Sequence, residues 1–565
     1  MKMDLIYVCY NSAKWIDNCF DSVARSNYDL RDITVYVVDN ASVDNTLEKL
    51  EEAKLRHGDV FGGFHIIRSG ENLGFGKANN LGFSKGSSDV VCFFNIDTEL
   101  CENTLAALEK EIAASDEKTG LWELRQFPYE HPKMYDALTH ETPWSSGAAF
   151  AMRRELFQKI NGFDEAIFMY AEDVDLSWRL RSFGYTLKYC PSAVIWHYSY
   201  QNAGEIKPNQ YLNSVINHLL IRYRFGTLRN IVKGHLMVLW QFLKPDVFEN
   251  SRKLLFKKYL QHFGKIFHFL DPRKRGRSKH FKAEFFGFDY AAIREGAFYE
   301  NHFPESGALV SIIVRTCGRP DVLRETMQSL RLQTYTNIEI VVVEDGPDVS
   351  GEMLKTEFSD LNVLYKATGE KVGRSKAGNM AMEMAHGKYL NFLDDDDLFY
   401  ADHVEVLLST IENRQERAAY AFAFETPIEV FSKSPYRYKL HDYLGVHKQN
   451  FNRFLLCHHN YIPIQCILFE KSLFLEYGGL DETLDALEDW DLWVRYSTHT
   501  DFACVEKTTS LYRVPYNRTV NAARQKDLDD ALKRVRQKHK GYAVPISNVS
   551  VYDVAMMLEA TKNGR

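Results

Sequence analysis

ITVYVVDNASVDNT (Ile33–Thr46) and NIEIVVVEDGPDVS (Asn337–Ser350) lie about 300 residues apart and read as the same object. In each, a β-branched apolar run short enough for a strand ends abruptly in acids and a polar turn. A second pair follows at a similar separation: VVCFFNIDTE (Val90–Glu99), carrying Asp97, and KYLNFLDDDD (Lys388–Asp397), carrying Asp394 to Asp397. A third pair, YAEDVDLSWRL (Tyr170–Leu180) and LEDWDLWVRY (Leu487–Tyr496), is acidic and amphipathic. Three matching segments in one order, at a nearly constant offset, make the chain two copies of one domain.

Around these segments each copy alternates strand and helix. LIYVCY is a strand, and Asn11-Ser12 suits the start of a helix through WIDNCFDSV. LVSIIVRT is its later counterpart, with Pro320 in the first turn of the helix through VLRETMQSL. Short apolar strands separated by helices predict an α/β fold with a mostly parallel sheet covered on both faces. Ligands of such sheets sit beyond the carboxyl ends of the strands. Asp39, Asp97, Asp345 and Asp394–Asp397 all fall there, so each copy is expected to gather its acids in one cleft.

The rest of the composition narrows the class. An apolar fraction of 45% and a charged fraction of 26% over 565 residues are ordinary for globular domains and argue against disorder or coiled coil. A net charge of −7 gives no footprint for a nucleic-acid partner. Nine cysteines without a C-x-x-C pair suggest reduced thiols in a cytosol. The opening MKMDLIYVCYNS lacks the pattern of a signal peptide, and no run reaches the 18 or so apolar residues of a membrane span. A cytoplasmic location is therefore expected.

The segment between the copies is different. From Ile221 to Lys282 there are sixteen Lys or Arg against three Asp or Glu, interleaved with apolar and aromatic residues in LRNIVKGHLMVLWQFL and RKLLFKKYLQHFGKIFHFL. Two basic amphipathic helices fit this pattern. Such helices attach a protein to an anionic membrane surface or pack as a spacer between domains, and both uses are compatible. The expected organisation is a first domain at 1–200, a basic helical linker at 201–301, a second domain at 302–520 and a helical tail at 521–565.

The acids suit one kind of chemistry. Breaking a glycosidic bond to a nucleoside diphosphate leaves a heavily charged group that a divalent cation must neutralise. Mg²⁺ or Mn²⁺ prefers carboxylate oxygen, with phosphate and water completing the shell. The acceptor hydroxyl needs a general base, which a second carboxylate supplies.

The motif set as a whole resembles family 2 inverting glycosyltransferases of the GT-A fold. The first copy is similar to the rhamnosyltransferase-type branch through VCYNS, VVDNASVDNT, NLGFGKANNLGF, FFNIDTE, SSGAAFAMRRELF, NGFDE, YAEDVDLSWRLRSFGY and IWH. The second is similar to the general branch through RTCGRPDVLRETMQSL, VVVEDG, VGRSKAGNMAM, GKYLNFLDDDD, GGLDETL and LEDWDLW. The resemblance implies two Rossmann-like GT-A domains. It implies Asp173 and Asp489 as catalytic bases, and Asp97, His197 and Asp396 as ligands of Mg²⁺ or Mn²⁺. Asn11, Asp39, Lys77 and Asn95 in the first copy, and Thr316, Arg319, Asp345, Arg374, Lys376, Asp394 and Asp395 in the second, are assigned to the donor. Glu172, Glu488 and Trp490, adjoining the bases, and Trp144, beside a Ser-Ser-Gly turn, are candidates for the acceptor. Three departures stand out: Ile96 replaces the proline of N-P-D, Gly378 replaces the arginine of A-R-N, and Pro515 replaces the histidine of Y-R-V-H.

The resemblance further implies a nucleotide diphosphate sugar donor, with rhamnose for the first copy. The implied acceptor is a growing surface polysaccharide (O-antigen or capsule) or a glycan on a polyprenyl diphosphate, at the inner face of the plasma membrane. Two alternatives stay open here: a processive two-site polymerase, and one active copy with the other kept as a glycan-binding module.

Overall fold

Both expected sheets form in the computed structural model, which describes residues 1–198, 207–484 and 486–543. The chain divides into two units, Met1–Glu300 and Asn301–Arg565. In the first, β1 (Met3–Cys9), α1 (Ala13–Ala24), β2 (Ile33–Asp39), α2 (Thr46–His57), β3 (Gly63–Arg68), α3 (Phe75–Phe83) and β4 (Val90–Asn95) alternate as the pattern predicts. β5 (Thr98–Leu100), α4 (Thr104–Ala114), β6 (Thr119–Phe127), β7 (Ala149–Arg153), α5 (Arg154–Lys159), α6 (Glu172–Ser182) and β8 (Thr186–His197) complete the sheet and its cover. Four helices follow: α7 (Pro208–Phe225), α8 (Leu228–Leu243), α9 (Ser251–His262) and α10 (Ile266–Leu270).

The second unit repeats the plan. β9 (Val310–Thr316), α11 (Pro320–Arg331), β10 (Ile338–Glu344), α12 (Gly351–Glu357), β11 (Val363–Ala367), α13 (Arg374–Met384) and β12 (Tyr389–Phe392) open it. Then come β13 (Leu398–Phe399), α14 (His403–Glu412), β14 (Ala418–Lys433), β15 (Tyr436–Leu440), β16 (Leu444–His447), α15 (Arg453–His458), β17 (Ile467–Glu470), α16 (Lys471–Tyr477), α17 (Glu488–Ser497), β18 (Phe502–Pro515) and α18 (Arg518–His539).

The first sheet runs β3-β2-β1-β4-β7-β6-β8-β5 and the second β11-β10-β9-β12-β17-β14-β18-β13, strand for strand the same order. β15 and β16 add to β14 in the second only. Neighbours from β3 to β4 are parallel, whereas β7 is antiparallel to both its neighbours, and β17 repeats that reversal. Every residue of β9 is buried, as expected for a strand covered on both faces. Among them is Arg315, a charge that such burial tolerates only with partners.

The segment expected as a linker belongs to the first unit. Leu212, Ile216, Leu219 and Leu220 of α7 and Val238 of α8 share one core with Trp144, Val174 and Trp178. Polar bonds fix it as well: buried Arg224 pairs with Asp175 and, at 2.6 Å, with Asp164. Arg224 thus spends its charge on two acids of the first unit, while lysines further along the segment stay exposed. The expected tail begins in a similar way: in α18 Val535 is fully buried, and Lys538 reaches Asp491 at 2.8 Å. Residues 544–565 of that tail lie outside the described residues.

Candidate functional site

Strand register shows which residues of the two copies correspond. Cys9 pairs with Asp39 and Thr316 with Glu344, so Asp39 corresponds to Glu344 and the following residues, Asn40 and Asp345, to each other. Asn40 Oδ1 accepts from Leu73 N at 2.8 Å, and Asp345 Oδ1 from Val372 N at 2.5 Å, the same loop in both units. Asp39 instead organises its own turn, accepting from Ser42 N at 3.2 Å. The structural match of Asp345 is thus Asn40, one residue beyond the acid that the sequence pairing selects.

In the first unit Asn11, in the left-handed region at φ 52°, accepts from Val43 N at 2.9 Å and ties the β1 and β2 ends together. Asn95 closes β4, its N–H on Ala148 O at 2.8 Å, and Lys77 is exposed in the first turn of α3. Thr98 pairs with His197 across β5 and β8. That pairing sets His197 Nε2 3.6 Å from Asp97 Oδ1. His197 Nδ1 is held by Gln126 Oε1 at 2.8 Å, while buried Nε2 has no hydrogen-bond partner among the described residues. Burial pushes the Asp97 carboxyl up, and His197 beside it more than offsets that, leaving it below the usual carboxylate range. An imidazole oriented through its far nitrogen, with its near nitrogen unused beside a carboxylate, fits a divalent cation.

The candidate base lies at the start of α6. Tyr170 (φ 69°) and Ala171 (φ 67°) both adopt the left-handed region, a costly turn for non-glycine residues, and deliver Asp173 into the first turn of α6. Asn217 of α7 holds that turn, donating to Met169 O at 3.0 Å and Tyr170 O at 2.7 Å. Asp173 Oδ2 accepts from Gly147 N at 2.9 Å, in a loop that Glu123 steadies through Ser146 N at 3.0 Å. Burial raises Asp173 above the usual carboxylate range. Glu172, buried with Oε2 unpartnered, is pushed up to about 8 by burial and by the charge of Asp173.

The second unit builds the same frame with different neighbours. Leu487 (φ 60°) leads into α17, and Asp489 accepts from Trp490 N at 2.8 Å and from Asn460 Nδ2 at 3.1 Å. Burial and Glu488 push Asp489 up to about 7. Arg315 forks onto Asp394, with both bonds at 2.8 Å, and reaches Glu488 Oε1 at 2.9 Å. Although burial alone would raise Asp394, Arg315 holds it below the usual range, and Arg374, exposed at the start of α13, adds to the effect. Thr316 Oγ1 donates to Asp395 at 2.7 Å, and Arg319 spans Asp395 (3.1 Å) and Asp396 (3.2 Å). Lys376 is exposed further along α13.

Gly378 explains its own departure from the family pattern. A Cβ there would stand 2.7 Å from Leu480 Cδ1 and 3.3 Å from Arg315 Cδ, so Leu480 and Arg315 occupy the space a longer side chain would need. The second metal set is also poorer. Leu398 pairs with Leu511, which puts Tyr512 where His197 stands in the first unit. Asp396 keeps a half-open carboxylate, 39% exposed, but shares it with Arg319. It fits a cation only with phosphate and water completing the shell.

Two expected acceptor residues are corrected by their burial. Trp144 packs under His131 (ring centroids 4.7 Å apart) with Lys133 Nζ 4.4 Å from its centroid, so its ring is covered. Trp490 is 1% exposed and spends its indole N–H on Leu456 O at 2.5 Å. Both belong to apolar cores, Trp144 with residues of α7 and Trp490 with residues of α15 and α17. Glu488, too, is committed to Arg315. Sequence reasoning missed Asn40, Asn217, Arg315 and Asn460; of these only Arg315 left a signal, a lone charge in an apolar strand.

Comparison with known proteins fits this picture. The model of the family "Glycosyl transferase family 2" matches residues 4–170 and 311–474, once in each unit. An uncharacterized glycosyltransferase of Rickettsia prowazekii is 30% identical over 189 residues, 33% of this chain and 58% of that protein. The chain therefore spans less than two thirds of that relative's length. Glycosyltransferase GlyA of Streptococcus pneumoniae is 40% identical over 109 residues, 19% of this chain and 15% of that one. Among solved structures, the mannosyltransferase PcManGT of Pyrobaculum calidifontis, in complex with GDP-Man and Mn²⁺, covers 48% of this chain and 72% of its own (18% identity, TM-score 0.33). S. aureus TarS 1–349 in complex with UDP-GlcNAc covers 48% and 83% (16% identity, TM-score 0.35).

Proposed function

The chain belongs to glycosyl transferase family 2, and from that premise we propose that it is a bifunctional inverting enzyme, each unit transferring one sugar from a nucleotide diphosphate sugar to an acceptor hydroxyl. One observation carries the reading. On the same strand order, each unit ends parallel strands in acids and enters a helix through a left-handed turn, with a half-buried aspartate, Asp173 or Asp489, in the first turn of that helix.

The step is a single displacement at the anomeric carbon. The acceptor oxygen forms the new bond as the bond to the diphosphate breaks, and the diphosphate leaves with the electron pair. Asp173 or Asp489 takes the acceptor proton; carboxyls raised toward neutrality by burial suit that task. Arg315 and Arg319 already pair with acids of the second cleft, so exposed Arg374 at the start of α13 is the cation proposed to meet the donor's diphosphate. A divalent cation bound at Asp97 and His197, or at Asp396, would supply charge neutralisation for the diphosphate. Rhamnose is the proposed donor sugar of the first unit. The proposed acceptor is a surface polysaccharide such as O-antigen or capsule, or a lipid-linked glycan at the inner face of the plasma membrane.

A second reading, with the second unit kept as a glycan-binding module, is favoured by Arg319 sitting on Asp395 and Asp396. One experiment separates the two: nucleotide release from a panel of nucleotide sugars by wild type, Asp173→Asn and Asp489→Asn. Loss of a different donor's turnover in each variant supports two active sites. An Asp489→Asn variant identical to wild type for every donor leaves the module reading.

A further inference from the structure

Helix α8 carries two apolar faces and uses only one of them inside the protein. Gly234 and Val238 are buried, and Gly234 lets α8 close on α7: a Cβ there would stand 2.6 Å from Arg222 Cδ and 3.0 Å from Leu219 Cδ2. The other face holds Leu228, Val232, Leu236, Leu239, Trp240 and Leu243, which fall within about a third of the helix circumference at 3.6 residues per turn. They are open to solvent: Leu228 is 77% exposed, Trp240 59% and Leu243 75%. The next segment repeats the device. Phe256, Leu260, Phe263 and Phe267 recur at three- and four-residue steps from α9 into α10, and Phe267 is 87% exposed. The two stripes start from touching helices, since the rings of Phe242 and Phe256 lie 5.8 Å apart.

The charges around the stripes name the occupant. Exposed Lys233 and Lys244 flank the α8 stripe and, with Leu236, Met237, Trp240 and Phe288, line a groove of about 350 Å³. Lys253 and Lys257 stand beside the second stripe, also exposed. Protein–protein interface cores are depleted in lysine. A bilayer of anionic lipid instead offers an apolar phase and an anionic rim in one plane, and lysine stems reach from one to the other. With 16 residues α8 is about 24 Å long, short of the roughly 30 Å hydrocarbon core. Among the described residues no helix is long and apolar enough to cross a membrane. We infer that the first unit docks on an anionic membrane through α8 and the α9–α10 stripe, lying in the interface with Trp240, Leu243 and Phe267 in the acyl boundary. The inference deepens the proposed function by bringing the first cleft to a lipid-linked acceptor, but its test needs no acceptor.

The full chain is sedimented with vesicles of phosphatidylcholine, with and without phosphatidylglycerol. Binding to the anionic vesicles is expected, at least ~10-fold weaker on phosphatidylcholine alone and weakened again by salt. The double variant Leu236→Glu/Trp240→Glu should lose at least ~10-fold, with its melting curve unchanged. Lys233→Gln/Lys244→Gln should lose less than that. Wild type failing to bind any vesicle, or the Glu variant binding as well as wild type, overturns the inference. So does light scattering that shows wild-type dimers abolished by the Glu variant, since a second copy then covers the face.

Discussion

Arg315 Nη1 lies 2.9 Å from Glu488 Oε1, whereas Glu172, at the same helix position in the first unit, has no such cation among the described residues. Register explains the difference: Val8 stands in β1 where Arg315 stands in β9. Two clefts of one design therefore differ in how they hold the glutamate beside the base. One is ion-paired; the other is buried alone.

That isolation makes the first unit sensitive to pH. Glu172, raised in the folded chain to about 8 from an unfolded value of 4.5, binds its proton more tightly when folded. Its contribution is complete below pH 4.5 and is lost as pH climbs toward 8. Glu172→Gln should therefore change stability little at pH 5 and raise it at pH 8, by on the order of 1–4 kcal/mol. Urea midpoints of the first unit at the two pH values check this, and equal shifts at both would contradict it.

In the second unit, removing Arg315 strands Asp394 and Glu488 in a buried site. Arg315→Met should cost about 3–5 kcal/mol of stability. Arg315→Lys should recover only part of that, since an ammonium cannot fork onto Asp394. Denaturation of both variants, with donor turnover by the second unit as a parallel readout, decides the matter. A Lys variant as stable as wild type would show that the fork is unimportant.

Turnover itself should follow the bases. Asp489, pushed up to about 7, is active only when deprotonated, so turnover by the second unit should rise with pH through about 7 and level off above it. The pH profile of kcat for the donor that Asp489→Asn abolishes is the measurement, and a flat profile between pH 6 and 8 would count against Asp489 as the base.

Cation dependence should differ between the units. Gln126 fixes the His197 ring, so Gln126→Leu should weaken Mn²⁺ activation of the first unit by about 10–100-fold while sparing the second. Mn²⁺ titrations of the two activities would reveal this, and an equal effect on both would place the cation elsewhere.

Asn217 gives a test of the helical segment's role. It holds the Met169–Tyr170 turn that enters α6, and Asn217→Ala should lower kcat of the first unit about tenfold, the effect of roughly 1.4 kcal/mol at the transition state. KM for the donor should move less. A raised KM with unchanged kcat would assign Asn217 to donor binding instead.

Much of this was written in local sequence. The strand runs before Asp97 and Asp394 fixed the sheet, and the repeated Glu-Asp pairs marked where α6 and α17 begin. What stayed hidden depends on packing at long range. Asp39 and Asn40 are both polar residues after an apolar run, and only the pairing of β1 with β2 shows which turns toward the β3–α3 loop. Trp144 and Trp490 look like sugar-stacking rings until neighbouring helices cover them. The basic segment reads as a linker because its inward bonds, such as Arg224 to Asp175, join residues about fifty positions apart.

The hold of Asn217 on the turn before Asp173 also sets where the polypeptide can be cut. A fragment ending after β8 would retain Asp97, Asp173 and His197, every acid and ligand of the first cleft, and yet release the turn that aims Asp173. Residues 1–300, the whole first unit, rather than 1–200, are then the piece to express when the first activity is sought in isolation, and the piece to graft onto another transferase.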